Sequence, residues 1–464
     1  MTTNTDKKDI VWTLARHIVD TRFEDLTREV VEVTKKSILD TLGVMAAASG
    51  LAPECRMLVD LITEAGGKAE STIMGFGTRV PAWMAAFANG ALAHSLDYDD
   101  LYYEAPVHPS SPVVSASLAI AERLGHVSGK DFITAVALGN DLTCRLGYAM
   151  DWKHDWAPTT VLGVFGAAAA SGKLLELDKH GMVSALGIAL SEAAGTQEMR
   201  YSVGNHLGGM NNGYPARGGV LSALMAQKGI IGPENSLEGR AGFFNVYFGG
   251  SYKREALTAD LGEKFLGTHA GTKAWPTTGT THVYIDATLK IVTEHDIRPD
   301  DIEAITLYVG DFAMLHCQPI DERRRPQTSP DAKYSIPFAV AVAAAQRSVS
   351  LSDLTLEGIK NPAVLEMANK VNVKLDARFN AHKGEPPGMV EMITTTGRCH
   401  SKRLEFCYGH HLNPISTADV IQKFRDCVSY SVRPLSKTAV DKVIRIIMRL
   451  EEADNVGHIM QSLS

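Results

Sequence analysis

Between Ala93 and Val113 the chain reads Ala-His-Ser-Leu-Asp-Tyr-Asp-Asp-Leu-Tyr-Tyr-Glu-Ala-Pro-Val-His-Pro-Ser-Ser-Pro-Val, with three aspartates, one glutamate and two histidines. Ala-rich segments that read as buried helices flank it, Ala82–Leu92 before and Val113–Leu124 after. A titratable loop held between rigid apolar helices is a poor core and a good place for proton transfer. The same residues also read as an Asp-capped helix end followed by a proline turn. A second stretch is Lys273-Ala-Trp-Pro-Thr-Thr-Gly-Thr-Thr-His282. It puts a cation, the hydroxyls of Thr277 and Thr278, and the His282 imidazole at a helix N-terminus. Those groups bind carboxylates. The alternative is a Thr-capped helix with a solvated lysine.

Other clusters carry less. Gly204-Asn-His-Leu-Gly-Gly-Met-Asn-Asn-Gly follows no strand and lacks a closing Gly-Lys-Ser/Thr. It is neither a dinucleotide fingerprint nor a P-loop, and a close-packed loop near a ligand suits it better. Cys399-His400, Cys407 and His410-His411 are separated by a predicted strand and have the wrong pair spacing, so no metal is expected there. No GxSxG elbow is present, which weakens hydrolase readings.

These residues need elements to hold them. Helical periodicity runs through 9–50, 82–92, 111–123, 129–148, 163–175, 182–194 and 220–228. The character changes near residue 260. A helix over 280–291, alternating strands at 304–309, 368–375, 389–396 and 402–407, and an apolar helix at 335–346 follow, with helices again from 416. The expected fold is mainly α: a helical domain of residues 1–262 and 412–464, with an α+β domain of residues 263–411 inserted.

Composition narrows the function. The 464 residues carry a net charge of −7 with 45% apolar and 21% charged residues, so no basic face for nucleic acid is expected. Arg323-Arg324-Arg325 is too short to alter that. The six cysteines are scattered without a CxxC pair, which fits a reducing, cytoplasmic setting. No signal peptide, transit peptide or membrane-spanning segment is expected.

Taken in order, Asp97-Tyr-Asp-Asp, His108-Pro-Ser-Ser and Lys273-Ala-Trp-Pro resemble the MmgE/PrpD family, which includes 2-methylcitrate dehydratase, cis-aconitate decarboxylase and iminodisuccinate epimerase. Leu39-Asp-Thr-Leu-Gly43, Thr159-Thr-Val-Leu-Gly-Val-Phe-Gly166, Ala216-Arg-Gly-Gly-Val-Leu-Ser-Ala223, Leu237-Glu-Gly239, Lys333-Tyr-Ser-Ile-Pro-Phe338 and Asn413-Pro-Ile-Ser416 extend the likeness through most of the chain. The resemblance implies a large all-helical domain with a smaller α+β lid, a homodimer, and no metal or organic cofactor. It further implies a lyase or isomerase that dehydrates, decarboxylates or epimerises small carboxylic acids by acid–base chemistry. Under it, His108 is the general acid/base, Asp97 orients it, and Lys273 clamps a carboxylate. Asp100 and His94 stand behind them or simply end a helix.

Two positions depart from that pattern. Ala157 stands where relatives usually carry a histidine, and Gly208 and Asn211 stand where they carry a Lys-x-x-His pair. His154 and His206 are the nearby imidazoles that could compensate. Fewer cations imply a substrate with fewer carboxylates. The alternatives are a larger, less charged substrate met by Tyr102, Tyr103, Trp152 and Trp156, or a degenerate relative kept for binding or assembly.

Overall fold

The computed structural model describes residues 8–153, 155–201, 205–380 and 386–463, with the side chains of residues 200 and 201 left undescribed. The chain forms two compact units, Met1–Ala270 with Ser416–Ser464, and Gly271–Ile415.

The first unit is built from helices α1 (Val11–Asp20), α2 (Arg28–Leu51), α3 (Pro53–Ala65), α4 (Ala82–Ser95), α5 (Ser110–Leu124), α6 (Gly129–Ala149), α7 (Pro158–Leu174), α8 (Lys179–Glu192), α9 (Glu198–Tyr201), α10 (Leu207–Met210) and α11 (Gly213–Gln227), with Thr417–Val428 and Lys437–Met448 returning at the end of the chain. It is not wholly helical, since Ser71–Thr72 pairs antiparallel with Arg79–Val80. The helix starts follow local chemistry. Thr27 accepts from the Val30 amide, Ser128 from Asp131 and Asp178 from Gly181, while Pro158 opens α7 where its missing N–H costs nothing.

Helix α7 is the centre. Every residue from Pro158 to Gly172 is buried, so it is apolar on all sides and packs against α5, α6, α8 and α11. The glycines make that approach possible. A Cβ on Gly219 would lie 2.4 Å from Ala167 Cβ and 2.7 Å from the Ala168 nitrogen, and one on Gly213 would lie 2.5 Å from the Phe87 carbonyl. The glycine-rich run expected as a loop is therefore corrected: over its described part it supplies α10 and the start of α11, and its small residues serve helix packing.

The second unit holds a four-stranded sheet in the order Val371–Leu375, Ile302–Val309, Gly388–Thr394, Cys399–Leu404. The first pair is parallel and the other two antiparallel. Gly388–Thr394 alternates buried and part-exposed residues, its Val390 and Met392 facing inward. Helices His282–Glu294 and Ile336–Gln346 pack on the sheet. A strand expected from Ala368 begins at Val371, because Asn361 caps a helix, Pro362–Asn369, that occupies the earlier residues. The last strand ends at Leu404 rather than Cys407. All six cysteines are free thiols. Among the described residues no single helix is long and apolar enough to cross a membrane.

Candidate active site

The loop between α4 and α5 holds a compact buried cluster. Helix α4 ends with His94 in its last turn. The chain then reverses through Asp97, whose φ of 51° is left-handed, a region aspartate tolerates better than most residues. The Asp97 amide donates to the His94 carbonyl at 2.8 Å.

That turn aims the next aspartate, Asp99, at two imidazoles. Its carboxylate oxygens both lie 3.0 Å from His94 Nδ1, and Oδ1 lies 3.4 Å from His108 Nδ1. The two rings meet edge to face, centroids 4.7 Å apart. Asp99 is fully buried, His94 is 1% exposed and His108 8%. His108 Nδ1 also lies 2.7 Å from the Asp100 carbonyl, which can only accept. Nδ1 of His108 therefore carries the proton, and the lone pair available for chemistry is on Nε2. Burial alone would push the Asp99 carboxyl up, but the two imidazoles reverse this and hold it well below the usual carboxylate range. Burial holds His94 below the usual imidazole value, with Asp99 acting against that shift. The arrangement is an ionised carboxylate that accepts from His94 and lies at ion-pair distance from His108, whose own Nδ1–H goes to the Asp100 carbonyl.

Asp100 does different work. Its carboxylate accepts from the Ser110 hydroxyl at 2.6 Å and the Ser110 amide at 3.2 Å, tying the loop to the start of α5. Burial pushes its carboxyl up to about 7, against the Ser110 hydrogen bond and with the charge of Asp99 adding. The loop is fixed from further sides. The His108 amide donates to Thr159 Oγ1 on α7 at 2.9 Å, and Asn212 Nδ2 donates to Ser111 Oγ at 2.7 Å. Lys423, on the helix Thr417–Val428, donates to the Tyr98 carbonyl at 2.8 Å and pairs with Asp40 at 2.6 Å.

Beside this loop the same unit holds an open-mouthed cavity of about 450 Å³. Thr160, next to Thr159, lines it, as does Asn211, next to Asn212. Gly195 lines it as well, and its carbonyl accepts from the amide of Ala157, the residue capping α7.

The expected residues fall as follows. His108 is at the cluster, but the carboxylate at its ring is that of Asp99. The orienting role given to Asp97 is thus corrected: Asp97 shapes the turn and adds its charge near His94. Tyr102 is 1% exposed and packs in the apolar core with Val107, Leu142 and Phe165, so it is a packing residue. Trp152 and Trp156 donate their indole N–H groups to the carbonyls of Trp156 and Tyr247. His206 is exposed at the start of α10, and His154 lies outside the described residues. Asn211 is buried, its amide 3.4 Å from Met199 Sδ.

In the second unit Lys273 is fully buried, which overturns the solvated-lysine alternative. Thr277 and Thr281 join hydroxyl to hydroxyl, and His282 Nε2 lies 3.3 Å from the Thr277 carbonyl. Thr278 is half-buried and its amide donates to the Lys333 carbonyl at 3.1 Å. Sequence reasoning missed Asp99, Asp40 and Lys423. The run of acids signalled the first, and no local pattern signals the other two.

The His94, Asp99 and His108 ligand atoms lie within 4.8 Å of one another, a spacing compatible with a metal. Ligation through Nδ1 of His108 would displace the proton given to Asp100 O, and ligation through Nε2 would use the lone pair that proton transfer needs. The donor set suits proton transfer better than ligation.

Residues 13–255 match the MmgE/PrpD N-terminal domain and residues 275–450 the MmgE/PrpD C-terminal domain. Similar curated proteins include a cis-aconitate decarboxylase of Homo sapiens, 28% identical over 97% of this chain and 93% of the relative. A cis-aconitate decarboxylase of Aspergillus terreus is 27% identical over 95% and 93%. A cis-aconitate decarboxylase-like protein of Aspergillus oryzae is 25% identical over 82% of each chain.

Proposed function

Because this chain belongs to the MmgE/PrpD family, we propose that it is a lyase of the dehydratase or decarboxylase type, acting on a small carboxylic acid by proton transfer at His108 and without a metal or organic cofactor. The observation that carries this reading is the buried His108 ring, its Nδ1–H held by the Asp100 carbonyl and the Asp99 carboxylate beside it. It leaves His108 Nε2 as the atom that exchanges a proton. The names of the relatives support the class of reaction.

Both reaction types pose the same electrostatic problem. In loss of CO₂ from an unsaturated acid, the breaking C–C bond leaves its electron pair in the conjugated system, and protonation at carbon by the imidazolium completes the step. In dehydration, the imidazole takes the proton α to a carboxylate and hydroxide leaves from the next carbon. Charge builds beside a carboxylate in each, and a cation lowers its energy. Lys273 is the cation proposed to hold that carboxylate, with Thr277, Thr278 and His282 shaping the turn around it. Asp99 holds the imidazole and stabilises the imidazolium. The family's homodimer is the assembly proposed.

The test is product formation, followed by NMR, from a panel of citrate-, aconitate- and succinate-like acids, with and without prior dialysis against EDTA. Turnover unchanged by EDTA and reduced about 10²-fold or more in His108→Ala is expected. Turnover near wild type in that variant overturns the assignment. Stoichiometric binding with no product from any acid favours instead a binding or assembly protein.

A further inference from the structure

We infer that the acid taken at this site carries an uncharged, largely apolar extension, seated in the cavity beside the His108 loop. The inference rests on the acid–base reading of His108 for what happens at the other end of the molecule. The cavity alone argues what the extension must be.

Its size is the first observation. About 450 Å³ falls within the roughly 300–1,000 Å³ typical of small-molecule sites. Its lining is the second. Ala194, Gly195, Met199, Leu207 and Tyr214 supply an apolar wall, and among the described lining residues there is no lysine, arginine or histidine. Among the described lining residues the one charged group is Glu198, which offers no positive charge. A second or third carboxylate would lose its water here and gain no counter-charge.

The third observation concerns the two polar residues at its wall. Thr160 is 3% exposed and Asn211 4%, and both line it. Thr160 Oγ1 and Asn211 Oδ1 are buried and make no hydrogen bond to any described residue. Both oxygens are sealed from water, so the two residues add no charge to the wall and present neither oxygen to the cavity. The fourth is placement. Thr159 accepts from the His108 amide, and Asn212 donates to Ser111, so the residues adjoining both orphaned groups hold the catalytic loop. An acid reacting at His108 has its extension directed by the same two elements.

Calorimetry on the full chain tests this with three probes: cis-aconitate, citraconate and 2-(6-hydroxyhexyl)maleate. The last keeps the two carboxylates of citraconate and adds a tail with one hydroxyl. Burying several methylenes should tighten it over citraconate by on the order of tenfold or more, with cis-aconitate weakest. Asn211→Lys puts a cation into the cavity and should invert the order in favour of cis-aconitate. Gly208→Lys provides the same test at a roomier position, where an added Cβ meets only the Met199 carbonyl at 3.4 Å. Cis-aconitate binding as tightly as the tailed acid, or an unchanged order in the folded lysine variants, overturns the inference. Neither outcome touches the His108 reading, which stands or falls on turnover in His108→Ala.

Discussion

Replacing Asp99 by asparagine tests the central claim, because it removes one charge and little volume from the buried cluster. The carboxylate lies 3.4 Å from His108 Nδ1. At an effective dielectric of about 20, an imidazolium and a carboxylate at that distance attract by about 5 kcal/mol. Asparagine retains a hydrogen-bond acceptor, and His94 shares the same carboxylate, so about half of that attraction is lost to the reacting His108. About 2.5 kcal/mol corresponds to a fall of roughly 10²-fold in rate. The loss should appear in kcat with KM little changed, because Asp99 faces the imidazoles and supports charge that forms only during reaction. Steady-state kinetics on the best acid of the panel measures it, with circular dichroism confirming the fold. Asp97→Asn is the internal comparison. It keeps a residue tolerant of left-handed backbone, and its loss should be the smaller. If Asp99→Asn stays within about threefold of wild type while His108→Ala is inactive, His108 acts without its carboxylate and the orientation argument fails.

Asp100 and the helix seam give two more expectations. The Asp100 carboxyl is pushed up to about 7, so the folded chain holds a proton there that the unfolded chain releases near pH 4. Its contribution to stability is whole below pH 4 and is lost as pH rises through 7, at most about 4 kcal/mol. Asparagine cannot ionise, so wild type should lose Tm relative to Asp100→Asn as the pH is raised from 4 to 8, and a constant difference contradicts the assignment. Gly219→Ala should destabilise the fold by about 1–3 kcal/mol, seen as a lower Tm, through the atoms of Ala167 and Ala168 that its Cβ would meet. Gly208→Ala, whose Cβ would meet only the Met199 carbonyl at 3.4 Å, should be close to neutral in differential scanning calorimetry.

Most of the helical scaffold was legible because its signals are local. Ser128, Asp178 and Pro158 mark helix starts in a few residues, and the Gly/Ala density of α7 announces close packing before any partner is known. The failures were of two kinds. The strand expected from Ala368 lost its first residues to a helix whose cap, Asn361, and first-turn proline, Pro362, were visible but outweighed by the alternation that follows. The run Gly204–Gly213 reads as a loop because a glycine's flexibility is a local property. The actual use of Gly213, and of Gly219 beyond it, admitting Phe87 and Ala167 against α11, depends on helices far away in sequence.

The candidate site divides along the same line. Its candidate residues were readable, since three aspartates and two histidines between apolar helices make a poor core, although they read as a capped helix end as well. The division of labour among those aspartates was not. In a regular strand or helix, spacing says which side chains share a face, and Asp97 and Asp99 would then be interchangeable candidates. The left-handed φ at Asp97 breaks that regularity, turning the chain so that Asp99 meets both imidazoles and Asp100 turns back to Ser110. That conformation is held from outside the loop. Lys423 grips the Tyr98 carbonyl from 325 residues further on, itself paired with Asp40, and Thr159 and Asn212 fix the far end. A pattern-based reading sees residues that could do chemistry. Which of them does it is decided by backbone geometry at one residue, and that geometry is set by partners no local window contains.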